Sequence, residues 1–236
     1  MSIQYNEVMK IDRLKQYFAS KFLDRNSNIE LRLQAPLQLH DLVLMDASFY
    51  DKPEELLEST EITNPKLANS IFYPKFYDSN PKTIKLLELL IAKNKPRVVV
   101  ETGIANGVST RAILNAFSQN HLFSSRLISF DTDPRVAVEE FLSNSQFTFK
   151  LVSSENNFES QMELLPEVDL FYHDSDHSYS NQMLEYKVAW AKISKGGVLM
   201  SDDINWSNAF LDFCLTNNRK PQVLADTEKF SGIVQK

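Results

Sequence analysis

From about residue 81 onward the apolar positions alternate between two rhythms. Behind Asn80-Pro81, whose proline suits the first helical position, Ile84, Leu86, Leu87, Leu89, Leu90 and Ile91 form one broad apolar face and predict a helix. Residues 97–100 then make a short apolar run of the kind a buried strand shows, and 109–117 return to helical spacing. The exchange recurs, with strands predicted at 127–130, 147–152, 168–172 and 198–200. Helices are predicted at 136–143 after Asp133-Pro134, at about 181–193 and at about 205–215. Strands alternating with helices imply a parallel sheet covered on both faces. The end of the chain breaks the rhythm. Gln222-Val-Leu-Ala and Phe230-Ser-Gly-Ile-Val are joined by a link too short for a parallel crossover, so the last strand must run antiparallel to its predecessor. The expected fold class is α/β: a seven-stranded sheet, mostly parallel, with an antiparallel C-terminal strand.

Residues 1–80 carry a weaker pattern. Residues 11–22 are amphipathic, and 53–59 begin a second helical segment. Ile71-Phe-Tyr-Pro-Lys-Phe-Tyr77 holds four aromatics and reads as a hydrophobic strap onto the core, with a pocket wall as the alternative. A mainly helical extension over 1–80, serving as a lid or in a homodimer interface, is expected beside a domain spanning 81–236.

Composition narrows the function classes. The 43% hydrophobic and 24% charged residues are those of an ordinary globular protein. A net charge of -6 weighs against a nucleic-acid partner, which needs a basic footprint. One cysteine, Cys214, leaves no intrachain disulfide and no cysteine zinc cluster, so a reducing, cytoplasmic setting is expected. No apolar run approaches the roughly 20 residues of a membrane helix, and the first residues do not read as a secretion signal.

Only five glycines occur, and four of them sit in two places: Gly103 and Gly107, and Gly196 and Gly197. The second pair is expected to form the turn that ends one helix and launches the strand toward Asp202 and Asp203. The first pair marks a ligand loop. A buried strand ending in Glu101 passes through that loop into a helix begun by Ser109 and Thr110, and ligands of such sheets sit outside the carboxyl ends of the strands. A dinucleotide site wants G-x-G-x-x-G, with pyrophosphate on the helix N-terminus. Here the loop is G-x-A-x-G, with Ala105 in the middle, and pyrophosphate would meet the Glu101 carboxylate. An acid there suits a cationic or amino group, such as the methionine part of S-adenosylmethionine. Asp131, ending the next strand, can accept both hydroxyls of a ribose.

The chemistry-bearing run is Tyr172-His-Asp-Ser-Asp-His-Ser-Tyr179, and the fifth strand ends Met200-Ser-Asp-Asp203. If the two strands are neighbours, Asp174, Asp202 and Asp203 converge. Carboxylates so close repel one another unless protonated or bound to a cation, and oxygen ligands suit magnesium, manganese or calcium. Plainer roles exist for each residue: Asp203 or Ser201 as a helix cap, Asp174 and Asp176 as turn formers, His173 as a satisfied buried histidine.

Glu101-Thr-Gly-Ile-Ala-Asn-Gly107, Phe130-Asp-Thr-Asp133 and the terminal hairpin resemble the class I S-adenosylmethionine-dependent methyltransferases, over about residues 81–236. The resemblance implies a Rossmann-like methyltransferase sheet, with Glu101, Gly103, Ala105, Gly107 and Ser109 around the methionine moiety and Asp131 on ribose. It points loosely to 153–156, Ser154 among them, for adenine. His173-Asp-Ser-Asp-His-Ser-Tyr179 with Gly196-Gly-Val-Leu-Met-Ser-Asp-Asp203 is similar to the metal-dependent small-molecule O-methyltransferases, those acting on antibiotic sugars more than the catechol enzymes. That likeness implies magnesium held by Asp174, Asp202 and Asp203, with Asp174 also at the cofactor. A general base is implied two or three residues after Asp174, where this chain has both Asp176 and His177. The implied reaction is methyl transfer to a hydroxyl of a small molecule. Three other readings stay open: a nicotinamide-dependent oxidoreductase, a non-catalytic binding domain, and an iron site drawn from His173, His177 and Asp202.

Overall fold

A computed structural model describes residues 73, 77–225 and 229–236. The helices expected at 11–22 and 53–59, and all of the 71–77 aromatic run except Tyr73 and Tyr77, lie outside the described residues. So does nearly all of the expected N-terminal extension.

Twelve elements follow in order: α1 (Pro81–Asn94), β1 (Val98–Thr102), α2 (Val108–Gln119), β2 (Arg126–Asp131), β3 (Phe147–Leu151), α3 (Glu155–Glu163), β4 (Val168–His173), α4 (Tyr179–Lys192), β5 (Ile193–Ser201), α5 (Ala209–Thr216), β6 (Gln222–Ala225) and β7 (Phe230–Gln235). The strands form one seven-stranded sheet in the order β3-β2-β1-β4-β5-β7-β6. Pairing is parallel from β3 through β5, and β7 runs antiparallel to both β5 and β6. The fold class expected from the sequence is therefore the one observed.

Alternation along the strands divides the core. Val100, Phe171 and Leu199 face one side, where Phe158, Met162, Tyr186, Ala189, Phe210 and Phe213 of α3, α4 and α5 cover them. Their neighbours Val99, Leu170 and Val198 face the other, under Leu86, Leu87 and Ile91 of α1 and Ile113 and Phe117 of α2. Two apolar faces explain why the central strands read as continuous apolar runs. At the start of α1, the Asn80 side chain accepts from the Lys82 and Thr83 amides, satisfying two of the helix's open donors.

Four details depart from the sequence reading. Residues 136–143 form no helix. Phe141 and Asn144 donate to carbonyls three residues back, and the Ala137 amide donates to Ala105 instead. With Val136, Ala137, Val138 and Phe141 all buried and Leu142 exposed, burial does not follow one helical face, and the segment lies as successive turns against the loop before α2. Arg111 of α2 pins it by pairing with Glu140 and lying over the Phe141 ring. Helix α3 was not expected; only Phe158 and Met162, spaced i, i+4, are its deeply buried residues, too sparse a signal to read. Strand β5 begins at Ile193, directly after α4, so Gly196 and Gly197 lie inside it. There Val168 pairs with Ile193 but Leu170 with Val198, an irregularity that absorbs the extra residues, with Gly196 at φ +85°. Helix α5 starts only at Ala209, because Ile204 donates to Phe230 and Trp206 to Asp203 before it.

Candidate active site

The carboxyl ends of β1, β2, β4 and β5 carry the chemistry. After β1 the chain turns through three left-handed residues, Gly103 (φ +84°), Ala105 (φ +44°) and Gly107 (φ +70°). Gly103 has no alternative. A Cβ there would stand 2.0 Å from the Asp174 carbonyl oxygen, so its bareness lets the β1 and β4 ends close on each other. The loop lines a small cavity, open to solvent, with Tyr77, Asp78, Ser79, Val108, Ser109 and Asp174 among its walls.

Glu101 is fully buried beneath the loop. Its Oε2 accepts from the Thr110 and Ser129 hydroxyls at 2.7 and 2.6 Å, while Oε1 has no partner. Burial raises its carboxyl, against the neighbouring Ser109, Ser129 and Thr110 hydroxyls. A buried carboxylate oxygen left bare is costly unless a ligand donor meets it. Asp131 accepts from the Ile104 and Asp133 amides at 2.8 and 2.9 Å, one on each oxygen, and each oxygen keeps a second lone pair. Burial raises its carboxyl as well, with the backbone donors opposing. Ser154 is exposed after β3 and caps α3 by accepting from the Asn157 amide.

Loop residue Asn106 carries a contact that sequence reasoning missed. Its side chain accepts from the Tyr73 amide and donates to the Tyr73 carbonyl and to Asp78, and the Tyr73 hydroxyl donates to Asp133. Tyr73, expected as part of a strap on the core, is thus tied to the ligand loop.

Asp174, Asp202 and Asp203 come together beside this cavity. Asp174 Oδ2 accepts from the Ser79 and Tyr172 hydroxyls at 2.6 and 3.1 Å. Asp202 Oδ1 accepts from Thr83 of α1 and Ser231 of β7 at 3.2 and 2.9 Å, and its Oδ2 is buried without a partner. Lys229 Nζ lies 3.3 Å from Asp203 Oδ2, whose other oxygen has no partner. Burial raises all three carboxyls, and the charge of Asp202 pushes Asp174 further. His177 Nε2 stands 3.7 Å from both Asp174 Oδ1 and Asp203 Oδ2, and its Nδ1 has no partner. Burial, then the neighbouring His173, lowers its pKa to about 4, so the ring is neutral near pH 7. Asp176 is not among this group: it is exposed, and its carboxylate accepts from the Ser178 amide and hydroxyl.

Behind the cluster, fully buried His173 bonds Glu185 through Nδ1 at 2.8 Å, and its Nε2 is bare. Glu185 also accepts from Thr102, Ser175 and Asn181. Nothing in the sequence marks Glu185, Thr83, Ser231 or Lys229 for this region; each is an ordinary residue of its element. Among the described residues, buried side-chain polar atoms without a partner are Glu101 Oε1, His173 Nε2, His177 Nδ1, Gln182 Nε2, Asp202 Oδ2 and Asp203 Oδ1. All but Gln182 gather at the strand ends.

The expected divalent ion finds no preformed ligand set among the described residues. No group of three His, Cys, Asp or Glu among the described residues is disposed to hold a metal. Hydroxyl donors occupy one oxygen each of Asp174 and Asp202, and an ammonium stands at Asp203.

Residues 100–204 match the family described as a methyltransferase domain. No curated protein matches the chain. Among solved structures, an O-methyltransferase from Bacillus cereus in complex with SAH shares the fold at a TM-score of 0.54 and 17% identity, over 68% of this chain and 83% of that one. An SAH-bound methyltransferase of Podospora anserina aligns at 0.55 and 14%, over 70% and 82%. The O-methyltransferase TomG of Streptomyces achromogenes, involved in tomaymycin synthesis and bound to SAM, aligns at 0.53 and 13%, over 68% and 82%. Identities this low speak to the fold.

Proposed function

We propose, from the match of residues 100–204 to a methyltransferase domain, that the chain is a class I methyltransferase that transfers a methyl group from S-adenosylmethionine to a hydroxyl of a small molecule. The carrying observation is Glu101, a buried carboxylate with one bare oxygen beneath a loop too acidic for pyrophosphate. That oxygen suits the amino group of a methionine moiety, Asp131 suits a ribose, and the exposed stretch around Ser154 suits adenine. When bound, S-adenosylmethionine supplies an electrophilic sulfonium methyl.

The chain's own residues do the rest. Gly103 and Asp174 close the β1 and β4 ends on one side of the transfer site. His177, neutral near pH 7 and beside Asp174 and Asp203, accepts the hydroxyl proton as the acceptor oxygen takes the methyl. Asp176, exposed and engaged by Ser178, is the weaker candidate for that role. Lys229 Nζ, 3.3 Å from Asp203 Oδ2, brings positive charge to the carboxylates. Residues 1–80 are assigned to covering the acceptor side, as a lid or a dimer interface. Supporting this, Tyr73 and the 77–79 segment already border the ligand loop. No described helix is long and apolar enough to cross a membrane, and a cytoplasmic site of action rests on the lone, buried Cys214.

The test is to incubate the full chain with S-adenosylmethionine and a panel of sugars, catechols and phenols, following S-adenosylhomocysteine release and methylated product by mass spectrometry. Product on an oxygen of at least one acceptor, lost in His177→Asn, is expected. Methylation confined to nitrogen, or persisting undiminished in that variant, refutes the reading.

A further inference from the structure

We propose that Lys229 is the resident cation of the acid cluster, supplying from within the chain the positive charge that balances Asp174, Asp202 and Asp203. The inference rests on the methyltransferase reading above, since it concerns the acceptor side of that same site.

Three observations carry it. First, Lys229 Nζ is 3.3 Å from Asp203 Oδ2, and its charge bears on Asp202 and Asp174 as well. Buried like charges need a cation close by, and the bare oxygens Asp202 Oδ2 and Asp203 Oδ1 leave the demand at this spot. An ammonium brings three donors to such a group.

Second, the backbone holds Lys229 in place. It directly precedes β7, and Phe230 is locked to the turn after β5 from both sides: its amide donates to the Asn205 side chain and its carbonyl accepts from Ile204. That register sets Lys229 beside Asp203. Its Nζ also donates to the Asp78 carbonyl, so the same ammonium joins the acid cluster to the segment before α1.

Third, the remaining donors are arranged for a protein cation. Ser79 and Tyr172 donate to Asp174, and Thr83 and Ser231 donate to Asp202. Lys229 therefore acts as a positioning residue: it offsets the charge of the carboxylates and helps hold them in place, with no coordination position to offer an acceptor oxygen.

The experiment compares wild type, Lys229→Met and Lys229→Arg as full chains freed of metal by chelation. Mn²⁺ binding is read by the electron paramagnetic resonance of free Mn²⁺, and S-adenosylmethionine binding by calorimetry on the same samples. Wild type and Lys229→Arg are expected to show no saturable Mn²⁺ binding and to retain methyl transfer in chelator. Lys229→Met, its carboxylates uncovered, is expected to bind Mn²⁺ at least tenfold more tightly. Saturable Mn²⁺ binding by wild type that Asp202→Asn abolishes overturns the proposal, and this arm stands even if Lys229→Met does not fold. Unchanged Mn²⁺ affinity in a folded Lys229→Met also overturns it. Failure of wild type to bind S-adenosylmethionine strikes the methyltransferase reading instead, leaving the Mn²⁺ arms to judge the lysine.

Discussion

Replacing Glu101 with Gln moves stability and ligand affinity in opposite directions. The side chain is fully buried, two hydroxyls serve Oε2, and Oε1 has none. Burial raises the folded-state pKa of this carboxyl, so its contribution to stability is fully present below the unfolded value and is lost as pH rises through the folded one. Near neutral pH the ligand-free protein thus bears the cost of a poorly satisfied buried charge. Glutamine keeps an acceptor for Thr110 and Ser129 and removes the charge. The ligand-free variant should gain about 1 kcal/mol or more, seen as a melting point about 2–4 °C higher, with the advantage vanishing in acid. Toward S-adenosylmethionine it should lose one charge-assisted hydrogen bond, about 1.5–3 kcal/mol, or about 10- to 150-fold in affinity. Differential scanning fluorimetry against pH and calorimetric titration read the two effects. A variant that is less stable and binds with wild-type affinity refutes the reasoning on both counts.

The other expectations concern the loop and the base. Gly103→Ala puts a Cβ 2.0 Å from the Asp174 carbonyl at φ +84°, and should cost about 2–5 kcal/mol in chemical denaturation, unlike a surface change. Asn106→Ala removes the ties to Tyr73 and Asp78 and should weaken S-adenosylmethionine binding about tenfold while sparing the melting point more than Gly103→Ala does. His177→Asn should lower the turnover rate about 10²–10⁴-fold, whereas Asp176→Asn should leave it within about threefold; the reverse order would move the base to Asp176. Because the neutral imidazole is the acceptor and its pKa is lowered to about 4, wild-type turnover should persist at pH 5.5 and fall only as pH drops through about 4. A fall centred near 6.5 would contradict the burial of that ring.

The sheet was legible because its central strands are buried on two faces and its links have lengths that admit few topologies. Val99 and Val100 belong to opposite cores, so nothing breaks the apolar run. The segment at 136–143 misled for a related reason: its apolar residues mimic a helix face, but Ala137 bonds Ala105 across the loop, and the turns bury Val136, Ala137, Val138 and Phe141 while leaving Leu142 exposed. In the site, acids at strand ends announce themselves, and Glu101, Asp131, Asp174, Asp202 and Asp203 could be placed from the pattern alone. What surrounds them could not. Ser79, Thr83 and Ser231 reach the acids from three separate elements, and a serine or threonine on a helix or strand carries no mark of its partner. Lys229 lay in what read as a plain hairpin link, and only the pairing of Phe230 with Ile204 and Asn205 brings it to Asp203. Asp176 and His177 are adjacent in sequence, yet a turn separates them into an exposed carboxylate held by Ser178 and a half-buried ring among the acids.

The central claim is that this strand-end site takes S-adenosylmethionine through Glu101 and Asp131, and calorimetric titration of the full chain with S-adenosylmethionine and, separately, NADH tests it most directly. Saturable one-to-one binding of the methyl donor, weakened at least about tenfold in Asp131→Ala, with no NADH binding, is the predicted result; tight NADH binding without methyl-donor binding would contradict it.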